Sequence, residues 1–178
     1  MRILEDIRAI SNTNSVARNL ATIITSHTCH LTLLIRIGQS SSCVPLIGSP
    51  LRLLVEYLIR IVFSSDISCR ARIGPGLLIM HGHDIVIGAD VSIGKNCKIF
   101  NGVTIGNKDT GRSSFQAQPF IGNDVLIGTG AKVLGPITIG DCVKIGANAV
   151  VLTDVPNGAV AVGVPARIIC CKQSCFTW

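Results

Sequence analysis

Large aromatic rings are scarce in this chain: its 178 residues include one Trp, one Tyr and five Phe. The Lys and Arg residues behind the net charge of +6 are spread out and never interleave with aromatics in a run. Both absences count against nucleic acid as a partner, since its binding surfaces combine clustered basic residues with rings for stacking. A mildly basic surface still suits an anionic ligand such as a phosphate-bearing cofactor. No apolar run approaches the roughly 20 residues of a membrane-spanning helix. The basic start of a cleavable signal peptide is missing too, because Glu5 and Asp6 stand there. Eight cysteines are present, but none makes the CxxC pair of a structural zinc site. A cytoplasmic protein with reduced cysteines is the expectation.

What the chain has instead is a period of six. From Ile67 onward, Ile recurs at 67, 73, 79 and 85, at 87, 93, 99 and 105, and at 121, 127, 139 and 145. Val133 and Val151 complete the series, and Gly follows the aliphatic residue at Gly74, Gly88, Gly94, Gly106, Gly122, Gly128, Gly140 and Gly146. Two positions earlier sits a second small or apolar residue, such as Val91, Cys97, Val103, Val125 or Val143. This period fits neither a helix nor hairpin alternation and predicts a parallel β-helix, each hexapeptide giving one short strand and one corner. One coil encloses no core alone, so stability comes from stacking coil on coil. Few rings are then needed. Cys97 and Cys142 are both expected in inward slots, as small hydrophobes.

Residues 1–63 lie outside the period and read as an N-terminal helical region, with helices over 3–10, 16–37 and 51–63. Arg52, Glu56 and Arg60 form a charged stripe on the last of these. Packing against the β-helix end or a neighbouring subunit is the expected role of the region, and its apolar residues leave room for peripheral membrane association. Residues 64–169 form the predicted β-helix, and 170–178 a tail. The period is interrupted twice, and interruptions in a solenoid are where function is usually added. One is a two-residue slip between Ile85 and Ile87, after Met80-His81-Gly82-His83-Asp84; the other separates Ile105 from Ile121 and holds a polar loop.

Histidine suits proton transfer near neutral pH. Counting forward from Ile79 puts His83 in an inward slot, and counting back from Ile87 puts His81 there, so the period does not choose between them. Asp66 falls on the neighbouring rung, where a carboxylate could hold an imidazole nitrogen.

The strings Asp66-Ile67, Ile73-Gly74 and His81-Gly82-His83-Asp84-Ile85-Val86-Ile87-Gly88 resemble the hexapeptide-repeat acyltransferases. So do Asn101-Gly102-Val103-Thr104-Ile105-Gly106-Asn107 and Gly163-Val164-Pro165-Ala166-Arg167. The resemblance covers about residues 64–169 and is nearest the serine acetyltransferase group and its small polysaccharide-modifying relatives. It implies a mainly β fold, a left-handed parallel β-helix, assembled as a homotrimer with active sites between subunits. It also implies acetyl-CoA as donor and no metal. The catalytic histidine then falls on His81 and its partner carboxylate on Asp66. Donor contacts fall on Gly106, Asn107, Thr129 and Ala147, with Arg167 as a phosphate contact.

Serine acetyltransferases carry an Arg-His pair before the Pro that follows the variable loop, where this chain has Ala117-Gln118-Pro119. They also place an acid before the catalytic histidine, where this chain has Met80. Each lost charged contact to free serine costs about 1.5–3 kcal/mol, and two would weaken binding roughly a hundredfold. The expected acceptor is therefore a sugar hydroxyl in bacterial polysaccharide synthesis, with L-serine as the alternative.

Overall fold

The computed structural model describes residues 2–13, 15–41, 47–108 and 117–169. Among these, four helices lead: α1 (Arg2–Ser11), α2 (Val16–Thr25), α3 (His27–Ser41) and α4 (Gly48–Phe63). The predicted helix over 16–37 is thus two, bent by 88° between Thr25 and His27. Taken together that bent pair is long and apolar enough to cross a membrane by length and composition alone; no single helix among the described residues is.

Among the described residues fifteen short strands, numbered in chain order, then wind into three sheets, parallel except for the last pair. The first holds β1 (Asp66–Ile67), β4 (Val86–Ile87), β7 (Thr104–Gly106), β10 (Lys132–Leu134) and β13 (Val150–Val151). The second holds β2 (Arg72–Ile73), β5 (Ser92–Ile93), β8 (Phe120–Ile121) and β11 (Thr138–Ile139). The third holds β3 (Leu78–Met80), β6 (Lys98–Phe100), β9 (Leu126–Ile127), β12 (Lys144–Ile145), β14 (Val160–Val162) and β15 (Arg167–Ile169). Up to β14, consecutive strands lie on different sheets, which makes the unit a three-walled prism; β15 then folds back on β14 within the third.

The six-residue period becomes three columns of side chains inside it. Ile67, Ile87, Ile105, Val133 and Val151 are register partners down the first sheet. Ile73, Ile93, Ile121 and Ile139 do the same in the second. Ile79, Ile99, Ile127, Ile145 and Ala161 line the third. All are buried. Like side chains stacked at the strand spacing leave little void, and this dense packing replaces the missing rings.

Corners on two of the prism's edges turn through left-handed residues. Between the second and third sheets these are Gly76, Asn96, Asp124, Cys142 and Gly158. Cys142 is therefore not inward as predicted: it is the corner residue, and Val143 beside it faces the core. It is also disulfide-bonded, so the expectation of a fully reduced set fails there. Cys29, Cys69 and Cys97 are free and buried. Burial pushes the Cys69 thiol up to about 12 and the Cys97 thiol up to about 11, so both remain protonated at neutral pH and unreactive.

Glycine after the inward aliphatic residue allows adjacent coils to touch. A Cβ on Gly94 would meet the Gly122 carbonyl oxygen at 2.5 Å and its carbon at 2.6 Å. The obstacle is backbone, which cannot swing aside. Gly94→Ala is expected to destabilise the fold by about 1–3 kcal/mol, the usual range for overpacking, read as a lower urea midpoint at unchanged slope.

The helical region seats on the first coil through a buried ion pair. Arg36 on α3 donates to Asp6 on α1 through Nε at 2.7 Å and Nη2 at 3.1 Å. The same guanidinium donates to the carbonyls of Ile73 (2.8 Å) and Gly74 (2.6 Å), while Asp6 Oδ1 accepts the Leu77 N–H at 2.9 Å. The charged stripe on α4 is used as well. Glu56 accepts the Cys69 N–H at 2.8 Å, and Arg60 reaches Asp66.

Candidate active site

The first coil is longer than the next: Asp66 pairs with Val86, whereas Val86 pairs with Thr104. The extra two residues fall in the corner after β3, at His81-Gly82-His83-Asp84. His81 and Asp84 both adopt left-handed backbone, with φ of 56° and 57°, a conformation that His and Asp tolerate better than most side chains. Neither histidine is inward; both are exposed, and the residue turned inside is Gly82. A Cβ there would meet Leu31 Cδ2 of α3 at 2.6 Å, so a helix closes the corner from behind. The period could not choose a histidine because the offset corner obeys neither count.

Hydrogen bonds hold this corner rigid. The His83 N–H donates to the His81 carbonyl (2.8 Å), Asp84 N–H to Ser64 O (3.1 Å) and Gly102 N–H to His83 O (3.3 Å). Ser65 Oγ accepts the Ile85 N–H at 3.1 Å. Ser64 and Ser65 are the exit from α4, so the helical region and the coil jointly fix the His81 backbone. Its imidazole makes no hydrogen bond among the described residues and is presented to solvent.

Asp66 lies on β1, whose N–H donates to the Ile85 carbonyl beside that corner at 2.8 Å. Its carboxylate is not on an imidazole, however. Oδ1 accepts Arg60 Nε at 3.0 Å and Nη2 at 2.8 Å, which holds the Arg60 guanidinium pKa above its ordinary value. Oδ2 accepts nothing among the described residues. Arg60 is thus a site residue that sequence reading assigned only to a helix stripe, although it stands two turns before Asp66 on the same connection.

Thr129 and Ala147 share the histidine edge. Corners there are linked from coil to coil: Gly130 N–H donates to Asn101 O (2.9 Å) and Asn148 N–H to Thr129 O (2.8 Å). Thr129 Oγ1 also donates to Asn101 Oδ1 at 3.3 Å. Lys132 Nζ clamps the same edge through Gly102 O (2.6 Å) and Thr104 Oγ1 (3.0 Å), a contribution no motif signalled. Thr129 and Ala147 are exposed, as is Arg167 on β15. Gly106 and Asn107 sit at the opposite end of β7, on a different edge. Within one chain, then, His81, Thr129 and Ala147 align, while Gly106 and Asn107 do not join them. Next to that second edge the Gln118 amide lies over Gly88, its Oε1 buried and without a hydrogen-bond partner among the described residues. Residues 109–116, which hold most of the expected loop, are outside the described residues.

Comparison with known proteins places the coil. The bacterial transferase hexapeptide family (six repeats) matches residues 119–153, and the hexapeptide repeat of succinyl-transferase matches residues 84–108. A soybean serine acetyltransferase complexed with serine superposes with a TM-score of 0.83 at 35% identity, over 94% of this chain and 68% of that one. The chain belongs to the hexapeptide-repeat transferases. This transferase is also 49% identical over 115 residues to a Helicobacter pylori serine acetyltransferase, across 65% of its own length. It spans just under two thirds of that relative, 66%. A Brucella abortus serine acetyltransferase in complex with coenzyme A superposes with a TM-score of 0.79 at 34% identity, over 94% of this chain and 66% of that one. The shared coil is a left-handed parallel β-helix with N-terminal helices.

These relatives overturn the expected sugar acceptor. The proteins this transferase resembles along 94% of its length are serine acetyltransferases. That expectation rested on Met80, Ala117 and Gln118, a few side chains on a frame shared with the serine enzymes.

Proposed function

We propose that this chain is a serine O-acetyltransferase that moves the acetyl group of acetyl-CoA onto the hydroxyl of L-serine. The observation that carries this is the superposition, over 94% of the chain, on a serine acetyltransferase complexed with serine. His81 acts as the base. Its imidazole accepts the serine hydroxyl proton as that oxygen bonds to the thioester carbonyl carbon. The tetrahedral intermediate collapses with loss of the thiolate, which takes the proton back from the imidazolium, leaving O-acetyl-L-serine and free CoA. The rigid corner contributes orientation: the ring hangs from a backbone fixed by Ser64, Ser65 and Gly102, so little freedom is lost on approach to the reacting atoms.

Asp66 is the carboxylate for the charged ring. Arg60 occupies Oδ1 and leaves Oδ2 for an imidazole nitrogen. The chain works as a homotrimer, because the His81 edge and the Gly106–Asn107 edge must come from different subunits to face one cleft. Thr129, Ala147 and Arg167 then border the donor, with the Arg167 guanidinium matched to a phosphate. Gln118 Oε1, a buried acceptor lacking a donor, suits the ammonium of an amino acid and takes up part of the role of the charged residues absent at Met80 and Ala117.

A thiol reporter measures CoA release from acetyl-CoA. Release should depend saturably on L-serine, and mass spectrometry should find O-acetyl-L-serine. CoA release that ignores serine, or a product without acetylated serine, would remove this reading.

A further inference from the structure

Away from the histidine edge, on the second sheet, a cavity gathers four arginines in its lining. It measures about 580 Å³ and lies where α1, α3 and α4 meet the second sheet. Arg2 comes from α1, Arg52 from α4, and Arg70 and Arg72 from the first coil. Ala71, Ile73 and Ile93 form its apolar floor. The acids facing this group are few. Asp90 pairs with Arg70 at 3.5 Å, and Glu56 on α4 is committed to the Cys69 N–H and the Ser68 hydroxyl. Arg2 and Arg72 have no ion-pair partner among the described residues. Arg52 Nε is fully buried and donates to nothing among the described residues.

A buried guanidinium donor left orphaned, as at Arg52, is unfavourable unless something completes it, and two exposed guanidiniums without ion-pair partners among the described residues, Arg2 and Arg72, line the same cavity. Guanidinium forks match the oxygens of a tetrahedral phosphate, several at once. The volume exceeds what one phosphate fills and falls in the range of small-molecule sites, and the apolar floor suits a carbon skeleton. We propose that this cavity is a binding site for a phosphate-bearing molecule, a phosphomonoester or a diphosphate, held by Arg52 from within and by Arg2 and Arg72 at the rim. It is separate from the His81 edge, which lies between the first and third sheets. Because the cavity joins three helices to the first coil, an occupant would also tie the helical region to the prism.

Calorimetric titration of the full chain with inorganic pyrophosphate is the test, with inorganic phosphate, coenzyme A and vesicles containing phosphatidylglycerol as parallel arms. Saturable pyrophosphate binding is expected, weakened at least tenfold in Arg52→Gln and in Arg72→Gln and unchanged in Lys144→Gln, a control on β12 of the third sheet that does not line the cavity. Vesicle binding lost in the same two variants, without binding of soluble phosphates, would assign the phosphate to a lipid headgroup and keep the site. Three outcomes overturn the proposal: no binding in any arm, equal binding in all variants, or coenzyme A affinity that alone falls in Arg52→Gln, which would make this the donor's own site. Arg72 is exposed, so its variant keeps the test informative if Arg52→Gln does not fold, as a thermal melt would reveal.

Discussion

Replacing His81 by alanine should lower serine-dependent CoA release by about 10²–10⁴-fold, the usual contribution of a positioned general base. The backbone of that corner is held by hydrogen bonds from the His83 N–H to His81 O, the Asp84 N–H to Ser64 O and the Ile85 N–H to Ser65 Oγ, none of which uses the imidazole, so the variant should fold, with only a small fall in melting temperature from alanine in left-handed backbone. The loss should fall on kcat and kcat/KM alike, since a base acts in the transition state and contributes little to substrate binding. His83→Ala is the control: that exposed ring sits two residues away and is assigned no proton. Comparable losses in both variants would point to a damaged corner, and undiminished turnover in His81→Ala would remove the histidine from the chemistry. Asp66→Asn should cost less than His81→Ala, because Arg60 still fills one side of that site.

The largest effect on stability is expected from the ion pair under the helical region. Asp6 and Arg36 have side chains only 1% and 3% exposed. Arg36→Met would strand a buried carboxylate and remove the donors to the Ile73 and Gly74 carbonyls. Breaking a buried pair from one side costs about 3–5 kcal/mol, a large part of the stability of a domain this size. Urea denaturation should show the loss, with the slope falling if the helices detach before the coil melts. Asp6→Leu combined with Arg36→Met should recover part of it, because no lone charge remains. A single-variant cost under about 1 kcal/mol would mean the helices are seated by apolar contacts instead.

How much was legible follows from which residues repeat. Ile67 through Val151 state one instruction many times, so the prism, its inward columns and the glycine that follows most inward residues could be read from spacing. Cys142 was misplaced by a single position because a thiol is compatible with either a core slot or a corner, and only the left-handed backbone separates the two. The histidine corner is singular, and nothing repeated calibrates its register; its position was readable, its orientation was not. The Asp6–Arg36 pair joins residues far apart in sequence with no motif between them. The acceptor was misjudged for a related reason. Few side chains contact a small substrate, and three local departures at Met80, Ala117 and Gln118 say less about chemistry than agreement along the whole frame.

The hairpin that ends the third sheet has a consequence for growth. β14 and β15 pair antiparallel, the one reversed pairing among the described strands. A prism of parallel rungs could in principle accept another prism on its open top, rung upon rung, and extend into a filament. A strand running backwards presents the wrong spacing of donors and acceptors to such a visitor. With helices seated on the first coil and a reversed strand on the last, the height of the column is set within the chain itself.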